Sequence, residues 1–94
     1  MTRFYRGMLL VISIFILQGC DQLTLNPVPV NGTILAFGDS LTYGVGVEES
    51  DSYPSVLATL TQREVINAGI SGEVSKDGLL RFEHELDEAQ PHLV

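Results

Sequence analysis

The segment TILAFGDS, residues 33–40, decides the fold of this chain. Its first five residues are apolar or β-branched, and Gly38 stops the run, a pattern typical of a short buried strand. A second run, VINA at residues 65–68, is β-branched at its start and ends in the same way at Gly69. The two runs therefore predict two buried strands, each followed by a turn.

Helical patterns separate and follow these two runs. Ser52-Tyr53-Pro54 has the proline placement of a helix start. A second helix is predicted from about Lys76 to Gln90, with apolar residues at spacings of 3, 4 and 3. These apolar positions are Leu79, Phe82, Leu86 and Ala89. Residues 92–94 then predict the beginning of a third strand.

The order strand, helix, strand, helix, strand predicts an α/β fold, a three-layer αβα sandwich with a parallel, flavodoxin-like sheet. A parallel sheet needs both of its faces covered. Whole domains usually have about 100–150 residues. Residues 33–94 are therefore expected to be the N-terminal part of a larger domain, with two βα units and the start of a third strand.

The first 19 residues have the pattern of a bacterial signal peptide. The apolar run at residues 8–17 would span about 15 Å as a helix, half of a hydrocarbon core. The run ends at residues 17–20, Leu-Gln-Gly-Cys, which resembles a lipoprotein processing site with Cys20 as the lipidated residue. An ordinary secretory signal and an uncleaved anchor are the alternatives.

The segment from Cys20 to Gly32 is predicted to be a lipidated tether, because its prolines favour extended chain. Asp21 resembles the inner-membrane retention signal of enterobacterial lipoproteins. The expected location is the bacterial cell envelope, on the periplasmic side of the membrane and anchored through the lipid at Cys20.

Charge and cysteine content exclude several classes of protein. The 94 residues carry a net charge of −7, and three basic and twelve acidic residues lie beyond residue 19. A body this acidic is a poor nucleic-acid binder. The single cysteine, Cys20, excludes a disulfide framework and a multi-cysteine zinc site. We expect no metal and no cofactor.

Two turns carry the candidate chemistry. Ser40 follows the first strand and Gly72 follows the second, and the carboxyl ends of parallel strands meet at one edge of a sheet. Backbone N–H groups of the two turns can then converge as oxyanion donors. Taken separately, Ser40 could be a helix N-cap and Gly72 a plain turn glycine.

Together the two turns resemble a known family. Gly38-Asp39-Ser40-Leu41 resembles the first block of the GDSL, or SGNH, hydrolases, and NAGISG at residues 67–72 resembles the second. The resemblance is to bacterial arylesterases, lysophospholipases and acyl-CoA thioesterase I. It implies a carboxylic ester hydrolase that acts on small acyl esters, thioesters or lysophospholipids through an acyl-enzyme. Ser40 would be the nucleophile and an oxyanion donor, and Gly72 a second donor.

Other residues of the family pattern are not among these 94. The family's oxyanion asparagine lies in a G-x-N-D block and its His and Asp in a D-x-x-H block, and neither block occurs here. His84 and His92 match no catalytic position, and Asp39 is expected to accept a hydrogen bond that organises its loop. The piece alone is therefore expected to be inactive. The alternative is a lipid-anchored, non-catalytic binding or assembly module on a βα framework.

Overall fold

The computed structural model describes residues 1–3, 5, 7 and 23–94. Most of the predicted signal peptide, with Cys20 and Asp21, lies outside the described residues. Within the described ranges, no helix is long and apolar enough to cross a membrane.

Within residues 23–94, two strands and three helices form the body of the structure. In chain order they are β1 (Thr33–Gly38), α1 (Ser40–Tyr43), α2 (Tyr53–Thr61), β2 (Glu64–Gly69) and α3 (Ser75–Ala89), with a 3-10 turn at Glu49–Asp51 before α2. The sequence predicted both strands, α2 and α3. It did not predict α1, a single helical turn that is too short for a periodic pattern.

β1 and β2 are parallel, as predicted, and run in register from Thr33 opposite Glu64 to Gly38 opposite Gly69. On its other edge β1 forms a parallel bridge between Ile34 and Leu93. β1 therefore lies between β2 and residues 92–94. The predicted third strand is present as this single bridge, because backbone hydrogen bonds join only two of its residues to β1.

The buried core is the middle of β1 together with one residue of β2. Leu35 is 1% exposed, and Ile34, Ala36 and Ala68 are also buried. This burial follows from position, since β1 has a neighbour on each edge. The α/β class predicted from the sequence is confirmed by this sheet and its helices.

The predicted apolar face of α3 is only partly covered. Phe82, Leu86 and Ala89 are half-buried, whereas Leu79 is 75% exposed. Leu79 belongs to the predicted apolar stripe but is not covered by another element within the described structure. Leu79 lies on the rim of a cavity.

The end of the predicted tether is attached to the body. The Arg63 guanidinium donates through Nη2 to the carbonyl of Val28 at 2.7 Å and through Nε to that of Pro29 at 2.9 Å. Its Nη1 donates to the carbonyl of Thr61 at 2.8 Å. Residues 28–29 of the predicted tether are thus held beside the start of β2.

Candidate active site

Ser40 is the first residue of α1, directly after β1. Asp39 is the N-cap, and its Oδ1 accepts a hydrogen bond from the N–H of Leu41 at 3.0 Å. This confirms Asp39 as an acceptor that organises its loop, and it rules out the alternative in which Ser40 is the cap. The N–H of Ser40 belongs to the first turn, where backbone donors have no partner within the helix.

Close packing fixes the position of α1, the helix that begins at Ser40. A side chain at Gly38 would collide with Thr42, whose Cβ would lie 3.0 Å from the added carbon. Thr42 is itself buried and shares a 2.9 Å hydrogen bond with the hydroxyl of Tyr53 in α2. Gly44 ends α1 with a φ of 96°, which favours glycine, and its N–H donates to the carbonyl of Ser40.

A hydrogen bond joins the Ser40 loop (residues 38–40) to the Gly72 loop (residues 70–73). The N–H of Ile70 donates to the carbonyl of Gly38 at 3.1 Å, one position beyond the last pair of the sheet. Gly72 is exposed, has a φ of 79°, and has no atom within 4 Å of where a Cβ would be. The structure thus places both predicted loops at the carboxyl edge of the sheet.

The rest of the second sequence block packs β2 against α1. Asn67 accepts a hydrogen bond from the N–H of Gly69 at 3.0 Å. A Cβ at Gly69 would lie 2.7 Å from the carbonyl carbon of Thr42 and 2.8 Å from the Cα of Tyr43. Only glycine allows this approach, so the block positions the helix that begins at Ser40.

An arginine that the sequence did not single out lies beneath both loops. Arg81 of α3 donates through Nη2 to the carbonyls of Gly38 at 3.2 Å and Ala68 at 2.8 Å. It also forms an ion pair with Glu73 of the Gly72 loop. The hydrogen bond from Arg81 is the main reason that the pKa of Glu73 lies below its ordinary value; burial opposes this shift.

A signal for Arg81 existed in the sequence but was too weak to use. It is one of three basic residues beyond residue 19, and it shares α3 with one other, Lys76, and with five acidic residues. Glu85 also contacts Arg81, at 3.4 Å across one helical turn. The same hydrogen bonds and charges raise the pKa of Arg81, with Glu73 the largest cause.

A cavity of about 360 Å³ opens beside Asp39 at the same edge. The rings of Phe37 and Phe82 meet edge to face on its wall, with centroids 4.9 Å apart. Leu79 and Val74 add apolar surface, and Glu73 lines the polar part. The cavity can therefore hold an apolar group next to the Ser40 loop.

The two histidines lie away from Ser40. His92 is at the amino end of β1, opposite to the end where Ser40 lies, and its Nδ1 accepts a hydrogen bond from the N–H of Thr33 at 3.1 Å. His84 is exposed on α3. In the part of the chain that the structure covers, no cluster of three or more His, Cys, Asp or Glu side chains could hold a metal ion.

The sequence of this chain matches a family model and the sequences of known proteins. The GDSL-like lipase/acylhydrolase family model matches residues 36–94. Thioesterase 1/protease 1/lysophospholipase L1 of Escherichia coli (strain K12) is 39% identical over 64 residues, which are 66% of this chain and 31% of that protein. Esterase TesA of Pseudomonas aeruginosa is 34% identical over 85 residues, 84% of this chain and 42% of that esterase.

A solved structure agrees with the fold. The crystal structure of AlinE4, an SGNH-hydrolase family esterase, superposes with a TM-score of 0.57 at 38% sequence identity. The match covers 68% of this chain and 35% of that one. The chain thus spans between about a third and two fifths of the length of these relatives.

Proposed function

Because this chain belongs to the GDSL-like lipase/acylhydrolase family, we propose that it carries the nucleophile and two oxyanion donors of a serine esterase or thioesterase. The observation that carries the proposal is the hydrogen bond from the Ile70 N–H to the Gly38 carbonyl, which joins the Ser40 loop to the Gly72 loop. A nucleophile and a second N–H donor must converge on one carbonyl group, and this bond brings their loops together.

In the proposed reaction the Oγ of Ser40 attacks the carbonyl carbon of an acyl ester or thioester. A base takes the hydroxyl proton and returns it to the leaving alcohol or thiol as the acyl-enzyme forms. Water, activated by the same base, then releases the carboxylic acid and restores Ser40. The backbone N–H groups of Ser40 and Gly72 stabilise the oxyanion in both steps.

We further propose that the base comes from a part of the protein outside these 94 residues. None of the five aspartates is followed by histidine three positions later, and His92 is at the amino end of β1, away from Ser40. A serine hydroxyl without a base within hydrogen-bond reach is a weak nucleophile. The proposed His and Asp would belong to a D-x-x-H block, and a third oxyanion donor to an asparagine.

The proposed substrates are small acyl esters, thioesters or lysophospholipids. This range follows the resemblance, and the names of the relatives include thioesterase, lysophospholipase and esterase. The apolar wall of the cavity beside Asp39 supports an acyl group at this edge. The proposed location is the periplasmic side of a bacterial membrane, with the lipid on Cys20 as anchor.

The test replaces Ser40 by alanine in the full-length protein. With p-nitrophenyl butyrate we expect kcat to fall by about 10⁴- to 10⁶-fold, because nucleophile and base act as a unit. Ser71→Ala is the matched control, since Ser71 is an exposed serine on the neighbouring loop. A fluorophosphonate probe should label the control and not the Ser40 variant. Wild-type turnover in Ser40→Ala would reject Ser40 as nucleophile.

A further inference from the structure

The guanidinium of Arg81 joins the ends of both strands. Its Nη2 donates to the carbonyl of Gly38, the last residue of β1, and to that of Ala68, the penultimate residue of β2. The residue that donates lies in α3, which follows both strands in the chain. One side chain therefore fixes the spacing of the two strand ends from which the Ser40 loop and the Gly72 loop depart.

The same guanidinium holds the Gly72 loop directly. Glu73 accepts from Nε at 2.7 Å and from Nη2 at 2.6 Å, a two-point pairing of a planar donor with a carboxylate. Glu73 follows Gly72 in the chain, so this pairing restrains the residue that presents the proposed second oxyanion donor. The side chains of Arg81 and Glu73 are only 16% and 9% exposed, which reduces competition from water.

Packing gives Arg81 a single orientation. Its guanidinium carbon lies 4.1 Å from the centroid of the Phe37 ring, which is a cation–π contact. The Phe37 ring therefore restrains the guanidinium from above its plane, and the hydrogen bonds restrain it along its edge.

We infer that Arg81 is a positioning residue of the hydrolase site, which acts through Glu73 and the Gly38 carbonyl to set the distance between the Ser40 and Gly72 N–H groups. The inference rests on the proposed function. Arg81 touches no reacting atom in this arrangement. It differs from a residue that only stabilises the fold, because its contacts go to the two loops that hold the donors.

Positioning of this kind acts on the transition state more than on substrate binding. Removal of one oxyanion donor costs about 10²- to 10³-fold in kcat, and a misplacement of about 1 Å can cost about 10²-fold. Lysine keeps the positive charge but cannot make the two-point pairing. For Arg81→Lys in the full-length protein we expect kcat to fall by about 10- to 100-fold, with KM changed by less than about 2-fold.

A second readout reports the oxyanion site itself. Phenylboronic acid forms a tetrahedral adduct with an active serine and so resembles the transition state. Its inhibition constant should rise in Arg81→Lys by the same factor by which kcat/KM falls. A loss of kcat without weaker boronate inhibition would overturn the inference, because the donors would then be undisturbed.

Two further variants distinguish an effect on the position of the two loops from a general loss of stability. Glu85→Gln is the matched control: Glu85 contacts the same guanidinium at 3.4 Å but lies in α3, and its side chain makes no hydrogen bond to either loop in the described structure. It should keep kcat within about 2-fold. Glu73→Gln weakens the same Arg81–Glu73 pairing by removing the charge of the carboxylate. Combining it with Arg81→Lys should lower kcat no further than Arg81→Lys alone.

The outcomes distinguish this inference from the proposed function. If Ser40→Ala is inactive while Arg81→Lys has wild-type kcat and boronate inhibition, the inference is overturned and the proposed function stands. If Ser40→Ala is fully active, both are overturned. If Arg81→Lys shows no cooperative thermal unfolding, the variant is not folded and Glu73→Gln is tested in its place. Wild-type kcat and wild-type boronate inhibition in Glu73→Gln would overturn the inference.

Discussion

Replacing Gly69 by alanine tests whether the contact between β2 and α1 holds Ser40 in place. An alanine Cβ would lie 2.7 Å from the carbonyl carbon of Thr42, whereas ordinary contact begins at 3.4 Å. To relieve the overlap with Thr42 alone, α1 must move away from β2 by about 0.7 Å, and the backbone nitrogen of Tyr43, which is closer still to the added carbon, requires a larger shift. The colliding atoms belong to the backbone, so no change of side-chain rotamer can relieve it.

This displacement sets the size of the expected effects. Overpacking of a tight site costs about 1–3 kcal/mol in the free energy of unfolding. Because α1 begins at Ser40, a shift of about 0.7 Å or more should also lower kcat by about 10- to 100-fold. Urea unfolding followed by circular dichroism measures the first effect, and hydrolysis of p-nitrophenyl butyrate by the full-length protein measures the second.

Gly78→Ala is the matched control for this prediction. Gly78 also has no positive φ, and an added Cβ would meet only side-chain atoms, at 3.4 Å or more. Alanine in a helix interior is favoured over glycine by about 1 kcal/mol, so this variant should be at least as stable as the wild type. A Gly69→Ala protein with wild-type unfolding free energy and wild-type kcat would refute the packing argument.

Three further predictions concern the anchor, the ion pair and the piece alone. Cys20→Ser should abolish fatty-acid incorporation, since thioether acylation needs the thiol; unchanged labelling would contradict it. The pKa of Glu73 lies below its ordinary 4.5, so the stability from its pairing with Arg81 is complete above that value and is lost as pH falls through the lowered one. Glu73→Gln should therefore flatten the acid side of a plot of urea midpoint against pH, and an unchanged slope would argue against the pairing. Residues 20–94 alone should hydrolyse no p-nitrophenyl ester above buffer, because they hold no base for Ser40; Ser40-dependent hydrolysis would contradict this.

The sequence predicted the features that depend on local pattern. β1 and β2 are short apolar runs ended by glycine, and such runs are recognisable without any partner. Pro54 marked the start of α2, and the structure has Ser52 as its N-cap. The position of Ser40 after β1 follows from the parallel sheet, because the strand order determines which edge its loop occupies.

The features that the sequence did not predict depend on contacts between distant residues. Arg81 reaches the carbonyl of Gly38 from 43 positions away, and Arg63 reaches that of Val28 from 35 positions away. A single arginine has no periodicity, so a local pattern cannot tell a solvated one from one that binds strand ends. The spacing placed Leu79 on the apolar stripe of α3, but whether such a residue is covered depends on which elements pack above it.

The position of β1 between its two neighbours affects how the chain can assemble. β1 emerges first, yet Thr33 pairs with Glu64 31 positions later and with His92 59 positions later. Contacts this distant in sequence form slowly, and until they form the apolar run Ile34-Leu35-Ala36 has two open edges that can pair with another chain. At about 5–20 residues per second, synthesis of the intervening chain takes roughly 3–12 s. A chaperone that binds extended apolar segments therefore has its main opportunity on β1, in the interval before Leu93 is available.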